Sequence, residues 1–406
     1  MAKSIKEAVS EFMTADYGPN PSLFKSYWMG GFEGATHINS TGKRLDMVAS
    51  TQHDIHVDSD YAMLRDVGIQ VVRESVRWHL IERGGQFDFS SLLPMLRAAN
   101  EHGVQINWTL CHYGWPDDLD LFSPAFVHRF ERFVGETARF IADHSNAEPF
   151  YSPINEISFI CWAICHSSTM YPYASHGKGR DNELKRQLVR AAIAAIEAVW
   201  EVDPRARIVH VDPIIHVIAP LGRPDLEEAA RATRNSMYES WDMLRGSRDE
   251  DLGGDPKYLD IIAVNYYHSN QWEYLTNDRL FWHLKDPRRL PLHCLLQEVY
   301  ERYRVPMIIG ETSHVGVGRG EWIKEIAAEA CKALQLGVPL EGICLYPIID
   351  RTDWDNDHHW HNSGLWDLEP DQNRVLRRMI NEPYLADLQE AQRLLAQEEC
   401  KYRPPD

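Results

Sequence analysis

The sequence lacks any long hydrophobic run. No segment reaches the roughly 18 uninterrupted apolar residues that a transmembrane helix needs. The first residues, from Met1 to Glu7, carry charges and contain no apolar core of the kind that a secretory signal has. We therefore predict a protein without a membrane partner and without a visible export signal.

The sequence also lacks paired cysteine motifs. Its cysteines are odd in number, seven, and none forms a Cys-x-x-Cys pair. We expect them to be small buried hydrophobic residues in a reducing compartment, which makes the cytoplasm the predicted location. Cys161 and Cys165 have helical spacing, but they have no companion ligands, so we predict no metal site there.

An excess of basic residues is missing too. The chain has 42 lysines and arginines against 60 acidic residues, and a net charge of −18. A partner with a phosphate backbone would need a concentrated basic face, so we predict no nucleic-acid partner. A local basic pocket remains compatible with this charge.

Low-complexity segments and long Gly/Ser linkers are absent, so nothing marks a domain boundary within residues 1–406. We predict a single α/β domain. Residues 1–25 are expected to form a helical lead-in, with a helix from about Ser4 to Thr14. Residues 371–406 are expected to hold the last helix, from about Tyr384 to Glu399.

Apolar strand-like runs alternate with amphipathic helical stretches along the whole chain, which is typical of a parallel sheet built from βα units. Eight strands are predicted, at 26–32, 69–78, 104–113, 151–157, 207–212, 259–267, 306–311 and 342–348. Helices are predicted at 59–67, 89–102, 123–144, 181–202, 225–244, 291–303 and 320–336. This count predicts a closed (β/α)8 TIM barrel. An open doubly wound sheet is the alternative, but it usually has fewer strands and a glycine-rich turn with a spacing that Gly30, Gly31 and Gly34 lack.

Polar and aromatic residues gather where these strands are predicted to end, and in a barrel the carboxyl ends of the strands form the reaction face. From the second strand to the eighth they are Arg73, Trp78, His112, Asn155, Glu156, Asn265, Tyr267, Glu311, Tyr346, Asp353 and Trp354. Each alone has a plain structural explanation: Asn155 could cap the next helix, with Glu156 in its first turn. Their convergence on one face instead predicts a catalytic site.

Two carboxylates opposed across a barrel mouth suit glycoside hydrolysis. One must donate a proton to the leaving oxygen, and the other must stay ionised to attack the sugar carbon. Arg73 and Tyr267 are suitable donors to keep Glu311 anionic, which leaves Glu156 as the proton donor. The aromatic faces of Trp28, Tyr346 and Trp354 suit the C–H faces of a pyranose ring, as Asn155 suits a sugar hydroxyl.

Four segments of the chain resemble glycoside hydrolase family 1, the β-glucosidase type among the clan A barrels. Arg73 to Trp78 stands where that family has Arg-Phe-Ser-Ile-Ser-Trp, and Leu110 to Pro116 where it has Leu-x-His-x-Asp-x-Pro. Val264 to Tyr267 matches its Ile-Asn-Tyr-Tyr. Tyr346 to Trp354 keeps the spacing of its Trp-Ser-Leu-x-Asp-Asn-Phe-Glu-Trp, so the resemblance extends from about Trp28 to Trp354.

The resemblance implies a retaining β-glycosidase with Glu156 as acid/base, Glu311 as nucleophile, and Arg73, Asn155 and Tyr267 as their supports. It implies sugar-binding roles for His112, Asn265, Tyr346, Asp353 and Trp354, with Glu33 or His37 in place of the family's sugar-binding Gln. Retention predicts that the two carboxyl groups lie about 5 Å apart. The expected partner is a small-molecule carbohydrate, no cofactor is implied, and the chain is compatible with an oligomer.

Several positions depart from the family pattern. Ile157 stands where the family has Pro after Asn-Glu, and Gly310 to Ser313 replaces Thr-Glu-Asn-Gly. Tyr346 replaces a Trp, and Asp353 a Glu. Both catalytic glutamates are kept, so we expect the same chemistry with an altered sugar preference.

Two other functions remain as alternatives. The stretch from Asp353 to His361 is rich in Asp and His, which are metal ligands, so a metal-dependent barrel hydrolase is one. We favour a rim loop that binds sugar hydroxyls, because no neighbouring strand end supplies a ligand triad. A sugar-binding barrel that has lost catalysis is the other alternative, suggested by the altered sugar contacts.

Overall fold

A computed structural model describes residues 18–19, 21–175, 177 and 179–402, and within them eight parallel strands close into a barrel in chain order. These strands are β1 Trp28–Gly31, β2 Val71–Ser75, β3 Gln105–Cys111, β4 Phe150–Ile154, β5 Arg207–Pro213, β6 Ile261–Asn265, β7 Met307–Thr312 and β8 Leu340–Leu345. Each strand pairs with the next, and β8 pairs with β1. The predicted (β/α)8 barrel is confirmed.

Helices cover the outside of the barrel. The longer ones are α1 His53–Asp66, α2 Leu93–His102, α3 Pro124–His144, α4 Ile157–Cys165, α5 Arg180–Val202, α6 Glu227–Asn235, α7 Glu239–Arg245, α8 Leu292–Tyr303, α9 Arg319–Gln335 and α10 Glu382–Leu395. None of the helices in the described ranges combines the length and the apolar character that a membrane span requires.

The barrel strands are buried on both faces, because helices cover the outside and side chains fill the inside. In β6 every residue from Ile261 to Asn265 is buried. The strand register places polar residues of neighbouring strands opposite one another. Arg73 pairs with Gly31 and Asn107, and Asn265 pairs with Glu311. Only glycine fits at position 31, since a Cβ there would lie 2.1 Å from a ring carbon of Tyr346.

Several predicted elements have different bounds in the structure. The second strand ends at Ser75, and Trp78 begins a short helix, Trp78–Ile81, where it packs on three phenylalanines of α3. Placing Trp78 on the reaction face was therefore wrong. The fourth strand stops at Ile154, because α4 begins at Ile157. The helix predicted over 225–244 is interrupted by a 3-10 turn at Ser236–Tyr238.

The ends of the chain differ as well. The helix predicted at Ser4 to Thr14 lies outside the described residues. Near the other end, an antiparallel hairpin of Trp366–Pro370 and Leu376–Ile380 precedes α10. The segment after residue 371 thus contains a strand in addition to the expected helix.

A disulfide joins Cys331 of α9 to Cys400. The expectation of small buried hydrophobic cysteines in a reducing compartment was wrong for these two. Cys400 lies 69 positions after Cys331, and the chain between them folds back and brings the two sulfurs together. The five other cysteines are free, and Cys161 and Cys165 are buried on α4. The cysteine pattern therefore no longer indicates a reducing compartment.

A buried ionic cluster ties the C-terminal hairpin to the barrel wall. His53 lies between Asp60, 2.7 Å from Nδ1, and Glu74, 2.8 Å from Nε2. Arg378 of the hairpin donates to Asp60 at 2.7 Å, and Tyr61 donates to Glu74. Burial acts to lower the pKa of His53, but the two carboxylates outweigh it and raise that pKa to about 9.

This pKa predicts a stability change with pH. The folded state holds a proton on His53 up to about pH 9, whereas an unfolded chain releases it near pH 6.5. The charged cluster should therefore stabilise the fold fully below pH 6.5. This contribution to the free energy of unfolding should be lost by about pH 9. The shift corresponds to about 3 kcal/mol. We expect His53→Gln to melt below the wild type at pH 6.5, with a smaller gap in Tm at pH 9. His128→Gln, at a side chain 80% exposed, is the control; an equal gap at both pH values would contradict the prediction.

Candidate active site

A cavity of about 500 Å³ opens at the carboxyl ends of the barrel strands. Three glutamates line it: Glu33 after β1, Glu156 after β4 and Glu311 within β7. Their exposed fractions are only 4%, 8% and 4%. A buried carboxylate is costly unless it is partnered, so the partners of each one determine its protonation state and its chemistry.

Glu311 is bound through both of its oxygens. Arg73 donates from Nη1 to Oε1, and the Tyr267 hydroxyl donates to Oε2 at 2.7 Å. Arg73 comes from β2, and Tyr267 follows β6, which neighbours β7. A guanidinium and a phenol are the donors that stabilise an ionised carboxylate, so Glu311 is held as an anion in a fixed orientation.

Arg73 also fixes the amide of Asn155, because its Nη2 donates to Asn155 Oδ1. A guanidinium can only donate, so Asn155 must present Nδ2 on its other side. That Nδ2 lies 2.8 Å from the Tyr113 hydroxyl and 3.2 Å from His112 Nε2. Both of these atoms therefore accept from Asn155.

Glu156 receives a hydrogen bond on each oxygen. The Tyr113 hydroxyl donates to Oε2, and Asn265 Nδ2 donates to Oε1 at 2.8 Å. Burial, followed by the nearby charge of Glu311, raises the pKa of Glu156 to about 8, although both hydrogen bonds act in the opposite direction. This raised pKa favours the protonated form of Glu156 at neutral pH, in the same cavity as the carboxylate that is paired with Arg73.

The backbone around Glu156 is unusual. Glu156 has φ +50°, and Tyr113 at the end of β3 has φ +67°, a region that bulky residues rarely adopt. The N–H of Glu156 donates to the carbonyl of Val211 at 2.9 Å. Asp212, the next residue on β5, accepts from both the N–H and the hydroxyl of Ser158 in the first turn of α4. Contacts with β5 thus hold the turn that carries the acid.

The floor of the cavity contains the predicted sugar-binding residues His112, Tyr346 and Glu33. His112 Nδ1 lies 3.3 Å from the Tyr346 hydroxyl, and burial lowers the pKa of His112 well below its usual value, so its ring is neutral. Glu33 forms an ion pair with Arg351 at 3.0 Å and accepts a hydrogen bond from the N–H of Ala35 at 3.1 Å. Burial raises the pKa of Glu33, and Arg351 opposes that effect.

Trp354, Asp353 and His37 differ in position. Trp354 lines the cavity, with its ring 6.2 Å from that of Phe159. Asp353 does not line it; its carboxylate instead accepts from backbone N–H groups of its own loop and lies 3.0 Å from His361 Nε2. His37 is buried behind Trp354 with ring centroids 4.9 Å apart, and does not line the cavity either. Trp28 is fully buried in the core, so the expected contact of Trp28 with a sugar ring was wrong.

Sequence reasoning missed Tyr113, Arg351, Phe159 and Asp212 as site residues. Tyr113 directly follows His112, but only its left-handed backbone turns both side chains toward the cavity. Arg351 and Phe159 belong to segments after strand ends, where side-chain direction depends on contacts distant in sequence. For Asp212, the one signal in the sequence was its position at the carboxyl end of a predicted strand, β5.

Among the described residues, the one group of three metal-ligating side chains with closely spaced ligand atoms is Asp58, Glu101 and His102, on the outer helices. In the Asp353–His361 stretch, Asp353 and His361 pair with each other. The three glutamates of the cavity each have protein hydrogen-bond or ion-pair partners.

No protein-family model matches the sequence, and no curated protein matches it either. Solved structures do match the fold. A family 1 β-glucosidase from Thermotoga maritima superposes with a TM-score of 0.72 at 15% identity, over 94% of this chain and 100% of the other. The β-glucosidase of the same organism matches in complex with glucoimidazole (TM-score 0.72, 14% identity, 93% and 100% covered) and with castanospermine (TM-score 0.71, 15% identity, 93% and 100% covered). The chain thus has the (β/α)8 fold of these β-glucosidases over nearly its whole length.

Proposed function

We propose that the protein is a retaining β-glycosidase that hydrolyses a small β-linked glycoside through a glycosyl-enzyme intermediate. The observation that carries the proposal is the unequal state of two glutamates in one cavity. Glu311 is bound by Arg73 and Tyr267 as an anion, while Glu156 keeps its proton because its pKa is raised to about 8. One nucleophile and one acid are what the double-displacement reaction needs.

In the first step, a Glu311 carboxylate oxygen attacks the anomeric carbon of the sugar. The bond from that carbon to the leaving oxygen breaks, and Glu156 gives its proton to this oxygen. The Glu311 carboxylate then loses its negative charge, because it has become an ester. Glu156 loses the repulsion that raised its pKa, so its proton is released more readily as the reaction proceeds.

In the second step, the deprotonated Glu156 takes a proton from water, and the resulting hydroxide attacks the anomeric carbon. The bond to Glu311 breaks, and the Glu311 carboxylate returns to its hydrogen bonds with Arg73 and Tyr267. Two displacements on the same carbon retain the β configuration. The polar groups of His112 and Glu33, which line the cavity, are suited to binding the sugar hydroxyls.

The solved structures with the same fold support a carbohydrate ligand. They are β-glucosidases, in complexes with glucoimidazole, castanospermine and deoxynojirimycin. We take a β-glucoside as the first substrate to test. The changed residues in this chain, Tyr346 and Asp353 among them, make a broader panel of aryl β-glycosides the sharper measurement of sugar preference.

Removing the nucleophile should abolish turnover. Glu311→Ala is expected to lower kcat on aryl β-glycosides by roughly 10⁴-fold or more, because the covalent step is lost. The measurement is release of the aryl alcohol. Glu301→Ala, at an exposed glutamate of α8, should leave turnover unchanged. Wild-type rates in Glu311→Ala would refute the assignment.

The raised pKa of Glu156 predicts the alkaline side of the pH profile. The protonated acid is the active form, so kcat/KM should fall as pH rises through about 8. In Glu156→Gln no proton can be given or taken, and this fall should disappear. With a dinitrophenyl leaving group, which needs no proton, the variant should release a burst of phenol and then turn over slowly, since the second step lacks its base. An unaltered alkaline limb in Glu156→Gln would contradict the role.

A further inference from the structure

The segments that follow β6 and β7 form one wall of the cavity, and this wall carries an arginine and two histidines. His268 and Arg279 follow β6, and His314 and Val315 follow β7; all four line the cavity. Arg279 is exposed, and its backbone forms a bridge with Trp272. In the described part of the chain the Arg279 side chain has no hydrogen-bond or ion-pair partner, although it lines a cavity that contains three glutamates.

The three acidic side chains that line the cavity are each compensated by a cation or by a proton. Glu311 is paired with Arg73, and Glu33 with Arg351 at 3.0 Å. Glu156 is protonated at neutral pH. Arg279 therefore supplies an uncompensated positive charge at this site, on a chain whose net charge is −18. An isolated cation at the mouth of a cavity makes the local electrostatic potential positive, although the protein as a whole is negatively charged. This local potential attracts anions.

The two histidines beside Arg279 act as neutral polar groups. Their ring centroids are 4.2 Å apart. Burial, together with the nearby His314 and Arg279, lowers the pKa of His268 to about 4. Nδ1 of His268 is buried without a hydrogen-bond partner. Burial also lowers the pKa of His314. This wall thus offers one guanidinium and imidazole nitrogens, with the apolar Val315, 42% exposed, beside them.

Exposure decides which part of a substrate meets this wall. His112, Glu33 and Tyr346 are almost fully buried and form the floor, whereas Arg279 is exposed and belongs to the mouth. A glycosyl group bound on the floor leaves its departing group directed outward. The groups at the mouth therefore contact the leaving group, and not the sugar that is transferred.

Building on the proposed function, we propose that Arg279, with His268 and His314, forms an anion-binding subsite for the leaving group, and that the preferred substrate is a β-glycoside whose aglycone carries a carboxylate. The planar fork of a guanidinium matches a carboxylate with two parallel hydrogen bonds. Val315 offers a small apolar surface for the body of such an aglycone. A phosphate would use the same donors, so the experiment includes it as a separate arm.

Binding and turnover test the subsite and the reaction separately. Non-hydrolysable 1-thio-β-glucosides with 4-carboxyphenyl, 4-carbamoylphenyl and 4-phosphonophenyl groups differ in charge but little in size. We expect the carboxylate to bind roughly fivefold more tightly than the carboxamide, the order of a partly exposed ion pair, and the preference to weaken with added salt. Arg279→Gln should remove this preference.

The matched control is Arg97→Gln, since Arg97 is also exposed and, among the described residues, without an ion pair, but lies on α2 outside the cavity. It should keep the preference. Equal binding of carboxylate and carboxamide in the wild type would overturn the anion subsite, as would a preference that survives in Arg279→Gln. Tighter binding of the phosphonate alone would overturn the carboxylate assignment.

Turnover of the corresponding O-glucosides separates the two proposals. The ratio of kcat/KM for the carboxyphenyl and carbamoylphenyl glucosides, compared between wild type and Arg279→Gln, cancels the difference in leaving-group acidity. We expect that ratio to fall roughly fivefold in the variant. If neither glucoside is hydrolysed while the carboxylate preference in binding persists, the proposed function fails and the subsite stands.

Discussion

The arrangement of the cavity depends on one buried cation, Arg73. It is 4% exposed, and a guanidinium can only donate hydrogen bonds, so every neighbour must turn an acceptor toward it. Glu311 and Asn155 do so, from β7 and from the end of β4. Once Asn155 Oδ1 faces Arg73, its Nδ2 must donate to Tyr113, and the Tyr113 hydroxyl is left to donate to Glu156. A single cation thereby sets hydrogen-bond directions across the barrel.

The same cation makes two chemically identical side chains unequal. Glu311 has the charge of Arg73 beside it, whereas Glu156 has the dipoles of Tyr113 and Asn265 as partners and the negative charges of Glu311 and Asp212 nearby. Burial then acts on Glu156 without an opposing cation and raises its pKa to about 8. Removing Arg73 would leave Glu311 as an unpaired buried anion. Breaking a buried ion pair in this way usually lowers the free energy of unfolding strongly.

The sequence predicted the barrel well because parallel strands buried on both faces read as continuous apolar runs, such as Ile261 to Val264. It also predicted which strand ends carry polar groups: Tyr267 and Glu311 line the cavity, while Arg73, Asn155 and Asn265 are joined by hydrogen bonds to its glutamates or to each other. Where prediction was wrong, contacts distant in sequence decide the outcome. Trp78 joins the phenylalanines of α3, and Cys331 forms a disulfide with Cys400 after the chain has folded back over a long stretch of sequence.

At position 157, contacts elsewhere in the fold replace the backbone constraint that a proline would give. A proline after Asn-Glu would restrict the backbone that leads into α4, and Ile157 does not. Here the restriction comes from β5: Val211 accepts the N–H of Glu156, and Asp212 binds Ser158 in the first helical turn. Burial raises the pKa of Asp212 to about 6, while hydrogen bonds from Ser240 and Ser158 act against that rise, so Asp212 is largely ionised at neutral pH. A carboxylate at a helix N-terminus is electrostatically favourable. The turn that carries the proposed acid can therefore keep its left-handed backbone without proline.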